Sequence, residues 1–345
     1  MIFKKYIRKL GLNDIKNLLI DYTESQRRIK KIRNEFNYET LRKVRISVSA
    51  NTFSTAIKLQ SPGQLGVWGK TAFVTCITPD INLVINKPNR YLKLSSDIEN
   101  NWLLHIEPPG YIRKLFLDAP KIMRRFGRIY TSAPHLYEQG GKFIPSPPYV
   151  HWHLALSSYS RNPQNLIYDY DFLTSCSHPP DKTVVLTTIN SGISDLPGHK
   201  LRADFIQRIG KSDLNFDLYG ASNWGALKQY RGRADSKWPI YSKSKYVLAI
   251  ENEVSEFYWT EKFTDAILCH SMPIYYGSPK ISNYFPEGSY IPIDITRKSA
   301  VDDLRDILSS DFYEKNIPRL LEARNSILKK HNMLSFIDSE LNGKS

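Results

Sequence analysis

The second half of the chain alternates short apolar runs, each stopping at a glycine or a polar residue, with segments of helical period. Residues 182–189 read as a buried strand, 199–209 as a helix, and 214–219 as a strand stopping at Gly220. Residues 246–250, a helix over 260–270, and 272–276 stopping at Gly277 continue the alternation. Strands separated by helices at this spacing predict a parallel, doubly wound sheet, hence an α/β fold. Such sheets bind ligands beyond the carboxyl ends of their strands. That directs attention to the loops after Ile189, Tyr219, Ile250 and Tyr276. Residues 297–342 read as largely helical.

The first half is less regular. Residues 44–49 alternate like a strand, and 72–77, 102–106 and 128–131 also read as strands. Residues 111–126 read as a helix in two pieces around Pro120, and the run Ile144-Pro145-Ser146-Pro147-Pro148 must be extended. A glycine-punctuated loop runs over 61–69, and its part Gly63–Gly69, around Trp68, is a candidate binding element. At roughly 100–200 residues per domain, 345 residues suggest about two domains, with a boundary in the polar stretch 157–181.

Composition removes several classes. Hydrophobic residues at 41% and aromatics at 12% are globular usage, not that of a disordered tail. No apolar stretch approaches the ~18–20 residues of a membrane span, and no apolar signal-peptide core is expected after the first three residues. The three cysteines, Cys76, Cys176 and Cys269, lie far apart with no C-x-x-C pair, which excludes a disulfide scaffold and a cysteine-rich zinc site. These features predict a cytoplasmic protein.

The net charge is +14, and residues 1–43 supply +7 of it. Apolar positions Leu18, Leu19, Tyr22, Ile29, Ile32 and Phe36 give this segment a helical stripe, broken by Glu24, Ser25 and Gln26. A basic amphipathic helix has two readings here. One is attraction to an anionic membrane surface, placing the protein peripherally on the inner face; the other is a packed helix with a solvated basic face. No finger spacing, aromatic RNA-binding run or helix-turn-helix accompanies the charge, so no specific nucleic-acid partner is expected.

The densest constellation is Ile250-Glu251-Asn252, then Tyr258-Trp259-Thr260-Glu261-Lys262, then Tyr276-Gly277-Ser278-Pro279. Thr260 suits an N-cap, and a helix N-terminus attracts anions. A lysine in the first turn opposes the macrodipole, a cost that neutralising a bound phosphate would offset. Glu261 can accept two hydrogen bonds from a ribose diol. From spacing alone, a capped surface helix with a local charge pair explains the pattern equally well.

The stretch 246–279 resembles the signature of the alpha-1,3/4-fucosyltransferases, glycosyltransferase family 10. Those proteins carry a strand, F-E-N, a short loop, Y-x-T-E-K, a helix, and a strand of the form P-(V/I)-x-x-G. The resemblance covers the second half well and the first half loosely. It implies a GT-B-like arrangement, two Rossmann-like domains facing a cleft, and inverting transfer of fucose from a GDP-fucose donor to a glycan acceptor. By similarity Asn252, Tyr258, Glu261 and Lys262 line the GDP site. The resemblance also implies that Arg202, in the R-x-x-F context Arg202-Ala203-Asp204-Phe205, contacts the diphosphate. Asn190, Tyr219 and Gly277, at strand ends, support the site. The family phenylalanine is Ile250 here, and Trp259 replaces a smaller aliphatic residue, departures that bear on the sugar.

Inverting transfer needs a carboxylate that takes the acceptor proton as the new bond forms. Glu107, in Leu103-Leu104-His105-Ile106-Glu107-Pro108-Pro109, ends an apolar strand at a proline-fixed exit. Partial burial would raise its pKa toward a useful value, and the family places its base in a similar E-x-P setting. The plain reading is a strand-end glutamate bonded to nearby N–H groups. His105, two residues earlier, shares its face and would orient it. His151 and His153 share a strand face without an evident third metal ligand, and Trp152 between them reads equally as a sugar platform or a packed side chain. Asp169-Tyr170-Asp171 lies in a polar region, so no tightly held metal is required. Mn²⁺ or Mg²⁺ resting loosely on the diphosphate is compatible with the sequence.

The expected organisation is therefore a basic helical segment over 1–43, an acceptor-side Rossmann-like domain over 44–165, and a nucleotide-sugar domain over 166–345 whose last helices pack back on the first. The expected acceptor is a surface polysaccharide or lipopolysaccharide, in alpha-1,3 linkage. Two alternatives are another nucleotide-sugar donor on the same scaffold, or a polyanion-binding protein without catalysis.

Overall fold

Strands β1 (Arg42–Val48), β2 (Val67–Trp68), β3 (Thr71–Phe73), β4 (Ile81–Ile85), β5 (Asn101–Leu104), β6 (Arg128–Thr131) and β7 (Phe143–Pro145) form one sheet in the order β2-β3-β1-β4-β5-β6-β7. Every neighbour is parallel except the β2–β3 hairpin. In the computed structural model, residues 26–48, 57, 60–74, 78–88, 94–116, 120–154, 168–192, 195–221, 224 and 226–343 are described. A second sheet contains β8 (Val184–Ile189), β9 (Asp217–Tyr219), β10 (Ser244–Ile250), β11 (Met272–Tyr276) and β12 (Ile291–Pro292), in the order β12-β11-β10-β8-β9, all parallel. This is the α/β arrangement of two Rossmann-like sheets that the alternation predicts.

Parallel sheets are covered on both faces, so their strands are apolar throughout. On one face of the first sheet, Val84, Leu103 and Ile129 pack with Ile112, Phe126 and Leu136. On the other, Val44, Leu83, Trp102 and Tyr130 pack with Met333, Leu334 and Ile337 of the last helix, Met333–Asn342. The chain thus returns from the second sheet to close the core of the first. Asp338 fixes the return: its Oδ1 accepts from Lys70 N at 3.0 Å and from Thr71 Oγ1 at 2.7 Å.

In the second sheet β9 lies on one side of β8 and β10 on the other, so the chain reverses its direction of travel between β8 and β10. The carboxyl ends of those two strands flank a crevice, the ligand position of doubly wound sheets. The helix Pro197–Gly210 follows β8, and the helix Glu261–Leu268 follows β10.

Several elements differ from expectation. The strand expected over 214–219 begins only at Asp217, because Leu214 N donates to Ser212 Oγ at 3.2 Å instead of joining a ladder. The strand over 72–77 is Thr71–Phe73, and 75–77 lie outside the described residues. Strand β4 was not anticipated. Of the basic segment, 1–25 lie outside the described residues, 26–35 are helical with Ile32 buried and Arg27, Lys30 and Lys31 exposed, and β1 already begins at Arg42. The expected domain boundary at 165/166 also falls outside the described residues. Among the described residues no helix is long and apolar enough to cross a membrane.

Candidate functional site

The site begins where β10 ends. Glu251 N donates to Tyr276 O at 2.8 Å, continuing the β10–β11 ladder by one step. The buried Glu251 side chain then turns to the next helix: Oε1 accepts from Thr260 N at 2.7 Å and Oε2 from Thr260 Oγ1 at 2.8 Å. Burial pushes the Glu251 carboxyl up, and Lys262, 3.8 Å away, opposes that rise. Glu251 is therefore the anchor of the helix N-terminus. The quoted motif contained it, but sequence reasoning assigned it no role.

Thr260 Oγ1 accepts from Lys262 N at 3.3 Å, so the expected N-cap forms. Lys262 Nζ stands 3.3 Å from Glu261 Oε1. Burial favours the neutral Glu261 carboxyl, but the ammonium groups of Lys262 and Lys237 outweigh it and hold the group well below the usual carboxylate range. One turn further on, the buried Asp265 pairs with Lys237 Nζ at 2.6 Å and accepts from His153 N at 3.2 and 3.3 Å. Desolvation lifts Asp265 to about 6 against the pull of Lys237. The helix thus presents an ionised acid and a lysine at its start, backed by a second acid–lysine pair.

Two glycines permit this packing. A Cβ on Gly277 would lie 2.3 Å from Tyr275 Oη and 2.6 Å from Glu251 Cγ. A Cβ on Gly198 would lie 2.0 Å from Asn252 O. The latter approach brings the helix Pro197–Gly210 against the loop after β10. Its Arg202, buried, donates from Nη1 to Asn252 Oδ1 at 2.7 Å. Arg202 Nε is buried without a partner among the described residues, and so is Asn190 Nδ2 at the end of β8. Two donors left over at the crevice suit an anion, because a buried unpaired donor otherwise carries its full desolvation cost.

Glu107 arrives from the other sheet, past the end of β5. Asn86, directly after β4, adopts a left-handed φ of 59° that asparagine tolerates better than most residues. Its Oδ1 accepts from Ile106 N at 2.8 Å, and its Nδ2 reaches Glu107 Oε1 at 3.5 Å. Burial raises the Glu107 carboxyl; the Glu261 carboxylate adds to the rise, and the Lys262 ammonium opposes it. The charges of Glu261 and Lys262, at the start of the helix Glu261–Leu268, therefore both reach Glu107.

The remaining expected residues divide. Tyr258 is buried rather than lining an open surface; burial, with the negative field of Glu251, Glu261 and Glu107, pushes its hydroxyl well above 10. His105 Nδ1 pairs with Thr131 Oγ1 at 3.1 Å, burial lowers the ring to about 3, and Asn86 Nδ2 is the amide that reaches Glu107. Tyr219 contributes its backbone, accepting from Asn190 N at 2.8 Å. Trp259 is core, with ring contacts to Tyr149, Tyr284 and Phe285. Trp152 is also packed, its Nε1 donating to Tyr168 O at 3.1 Å, and Trp68 meets Tyr170 edge-on at 5.4 Å. Asp169 caps the helix Tyr170–Ser175 and Asp171 accepts from Gly63 N at 2.8 Å, so this acidic pair is structural. The His151 and His153 rings lie 4.5 Å apart, yet no group of three or more His, Cys, Asp or Glu suited to a metal ion occurs among the described residues.

This geometry can be set beside known proteins. Residues 181–312 match the family described as glycosyltransferase family 10 (fucosyltransferase), C-terminal part. Over these residues the chain is similar to glycosyltransferase family 10. The matched segment contains β8 through β12 and every candidate donor-side residue named above. Two relatives are named GDP-fucose protein O-fucosyltransferase 3. That of Canis lupus familiaris is 25% identical over 202 residues, and that of Mus musculus 40% identical over 201. Each match covers 56% of this chain, and the chain spans only 38% of either relative. Among solved structures, an alpha1,3-fucosyltransferase with GDP is 14% identical with a TM-score of 0.46, covering 86% of this chain and 93% of that one. The T4 phage BGT with UDP and Mn²⁺ is 9% identical with a TM-score of 0.48, covering 86% and 99%.

Proposed function

We propose that the chain transfers fucose from GDP-fucose to a hydroxyl of a glycan, with inversion at the sugar carbon. The observation that carries this reading is that Glu107, held by Asn86 past the end of β5, feels the charges of both Glu261 and Lys262. The family 10 match and the names of the relatives support the donor.

In the proposed reaction Glu107 accepts the proton of the acceptor hydroxyl while its oxygen attacks C1 of the sugar from the face opposite the nucleotide. The bond from C1 to the β-phosphate oxygen breaks, and GDP leaves with the electron pair. Charge spreads over the ring in an oxocarbenium-like state, as in glycoside hydrolysis. The growing negative charge is met by Lys262, by Arg202, and by the helix N-terminus at Thr260. Glu261 accepts hydrogen bonds from the ribose diol, a role its ionised state favours. Asn86 holds the Glu107 carboxylate. No step requires a metal; Mn²⁺ or Mg²⁺ on the diphosphate would only assist the leaving group, and chelation during the assay separates the two cases.

The deciding experiment incubates the purified chain with GDP-fucose, GDP-mannose and UDP-sugars and measures nucleotide release with Glu107→Gln as control. Release from GDP-fucose that the variant abolishes, with GDP binding intact, is the expected result. Equal release by the variant would refute the base assignment, and preference for another donor would refute the sugar.

The acceptor has two readings. A surface polysaccharide or lipopolysaccharide, in alpha-1,3 linkage, suits the basic character of the chain. A protein hydroxyl is favoured by the names of the relatives. A panel of glycans and folded protein domains, read by mass increase, separates them. A cytoplasmic position at the inner membrane face belongs to the same proposal and rests on the +7 of residues 1–43. Co-sedimentation with anionic but not neutral vesicles tests it.

A further inference from the structure

Glu253 follows Asn252 in the loop after β10, but it reaches across to the other half of the molecule. Its Oε2 accepts the backbone N–H of Gly110 at 2.7 Å. Gly110 is the second residue of the helix Pro109–Phe116, where a backbone N–H has no partner within its own helix. A carboxylate there also complements the helix dipole. Other contacts fasten the same region. Ser255 Oγ donates to Ser132 O at 3.0 Å in a buried position, and the Phe257 ring meets the Tyr137 ring edge-on at 5.3 Å. Tyr111 Oη, beside Gly110, donates to Asp195 Oδ2 of the second half at 3.0 Å. One loop that begins at Asn252 and ends at Tyr258 therefore grips the first half at 110 and again at 132–137.

Only Pro108 and Pro109 separate Glu107 from Gly110. Both have a ring-fixed φ, so the link has little slack, and where Gly110 is held decides where Glu107 stands. The glycine leaves room for the grip, since a Cβ would lie 3.1 Å from Glu253 Oε2.

We propose that Glu253 is a positioning residue: by holding the Gly110 N–H it sets the reach of Glu107 toward the donor gripped by Arg202 and Lys262. This rests on the reading of Glu107 as the base. In this role Glu253 acts through the two prolines and not by contact with donor or acceptor.

The test uses the full chain with Glu253→Ala, Glu253→Gln and Glu253→Asp. A misplacement of about 1 Å at a reacting group costs on the order of 10²-fold, so Glu253→Ala should lower kcat for fucosyl transfer by about 10- to 100-fold with the KM for GDP-fucose unchanged. Glu253→Gln, whose amide oxygen still accepts the N–H, should keep a near-normal kcat. Glu253→Asp falls one methylene short and should behave like alanine, which covers the case of an alanine variant that does not fold. Backbone hydrogen exchange at Gly110 should quicken with Ala and Asp and stay slow with Gln. An unchanged kcat in Glu253→Ala, a rise in donor KM in place of the kcat loss, or equal exchange at Gly110 in all variants would overturn the proposal. The exchange measurement needs no turnover. A wild-type chain that transfers no fucose therefore refutes the proposed function, while exchange at Gly110 still decides whether Glu253 holds the loop.

Discussion

Arg202 Nη1 donates to Asn252 Oδ1 at 2.7 Å, joining the helix after β8 to the loop after β10 across the crevice between those strands. The guanidinium is buried, and desolvation lowers its pKa against the attraction of Glu251, Tyr258 and Glu261. A buried cation in that position is costly unless its hydrogen bonds are met. Its Nε–H is the donor left over for an anion.

Arg202→Lys should therefore weaken GDP binding although the charge is kept. An ammonium cannot hold Asn252 and a phosphate in one plane as a guanidinium can. Removal of one such donor typically costs ~3–4 kcal/mol in the transition state. Turnover should fall on the order of 10²-fold or more. Calorimetry with GDP and steady-state kinetics read the two effects; unaltered GDP affinity in the lysine variant would place the diphosphate elsewhere.

The pH dependence of transfer follows from the neighbours of Glu107. A base must be ionised, so kcat/KM falls as pH drops through the Glu107 pKa, which burial has already raised. Lys262 lowers that pKa, and its removal in Lys262→Met should move the acidic limb to higher pH. Glu261 raises it, and Glu261→Gln should move the limb to lower pH. The two substitutions should thus shift the profile in opposite directions while both reduce its height. Shifts of the same sign would mean that the limb reports a different group.

Gly198→Ala should lower donor affinity without touching any polar group of the site. Its Cβ would stand 2.0 Å from a backbone oxygen of Asn252, and the backbone cannot rotate away as a flexible side-chain end can. The helix must lift from the loop, carrying Arg202 off Asn252. The measurement is GDP affinity beside thermal stability. A loss of affinity together with a lowered midpoint is expected, because the helix that must lift packs Phe205, Ile206 and Ile209 into the core; unchanged GDP affinity would mean that Arg202 keeps its place.

The second half of the fold was legible because its strands are covered on both faces. β10, Ser-Lys-Tyr-Val-Leu-Ala-Ile, is nearly continuous in apolar residues and ends where the motif begins. Strand β4 is of the same kind, but Asn82 interrupts it. That asparagine is buried and donates to Asn101 Oδ1 at 3.0 Å on the neighbouring strand, a cross-strand pair that no local pattern reveals. The site divides in the same way. Asn252, Glu261 and Lys262 lie within one strand–loop–helix unit, so spacing places them together. Asn86 meets Glu107 only through the β4–β5 register, and Glu253 meets Gly110 only when the two halves face each other. An asparagine that ends an apolar run before Lys-Pro was the one local hint at Asn86. Sharing a strand face with Glu107 does not by itself decide what the His105 ring meets, and its Nδ1 meets Thr131 through the register of β5 with β6.

The last helix predicts a coupling between chain ends. Ile337 is fully buried against strands of the first sheet, with Met333 and Leu334 beside it. Tyr130 Oη also donates to Glu340 Oε2 at 2.9 Å, so the contact is polar as well as apolar. Ile337→Ala should cost about 2–5 kcal/mol through lost burial and the cavity left behind. The cost should fall on the first sheet, more than 280 residues earlier in sequence at β1, and not on the second sheet from which the helix extends. Urea unfolding followed by hydrogen exchange resolves this: amides of β1, β4 and β5 should lose protection, while those of β10 and β11 keep it. Equal loss in both sheets would mean that the two halves unfold as one cooperative unit.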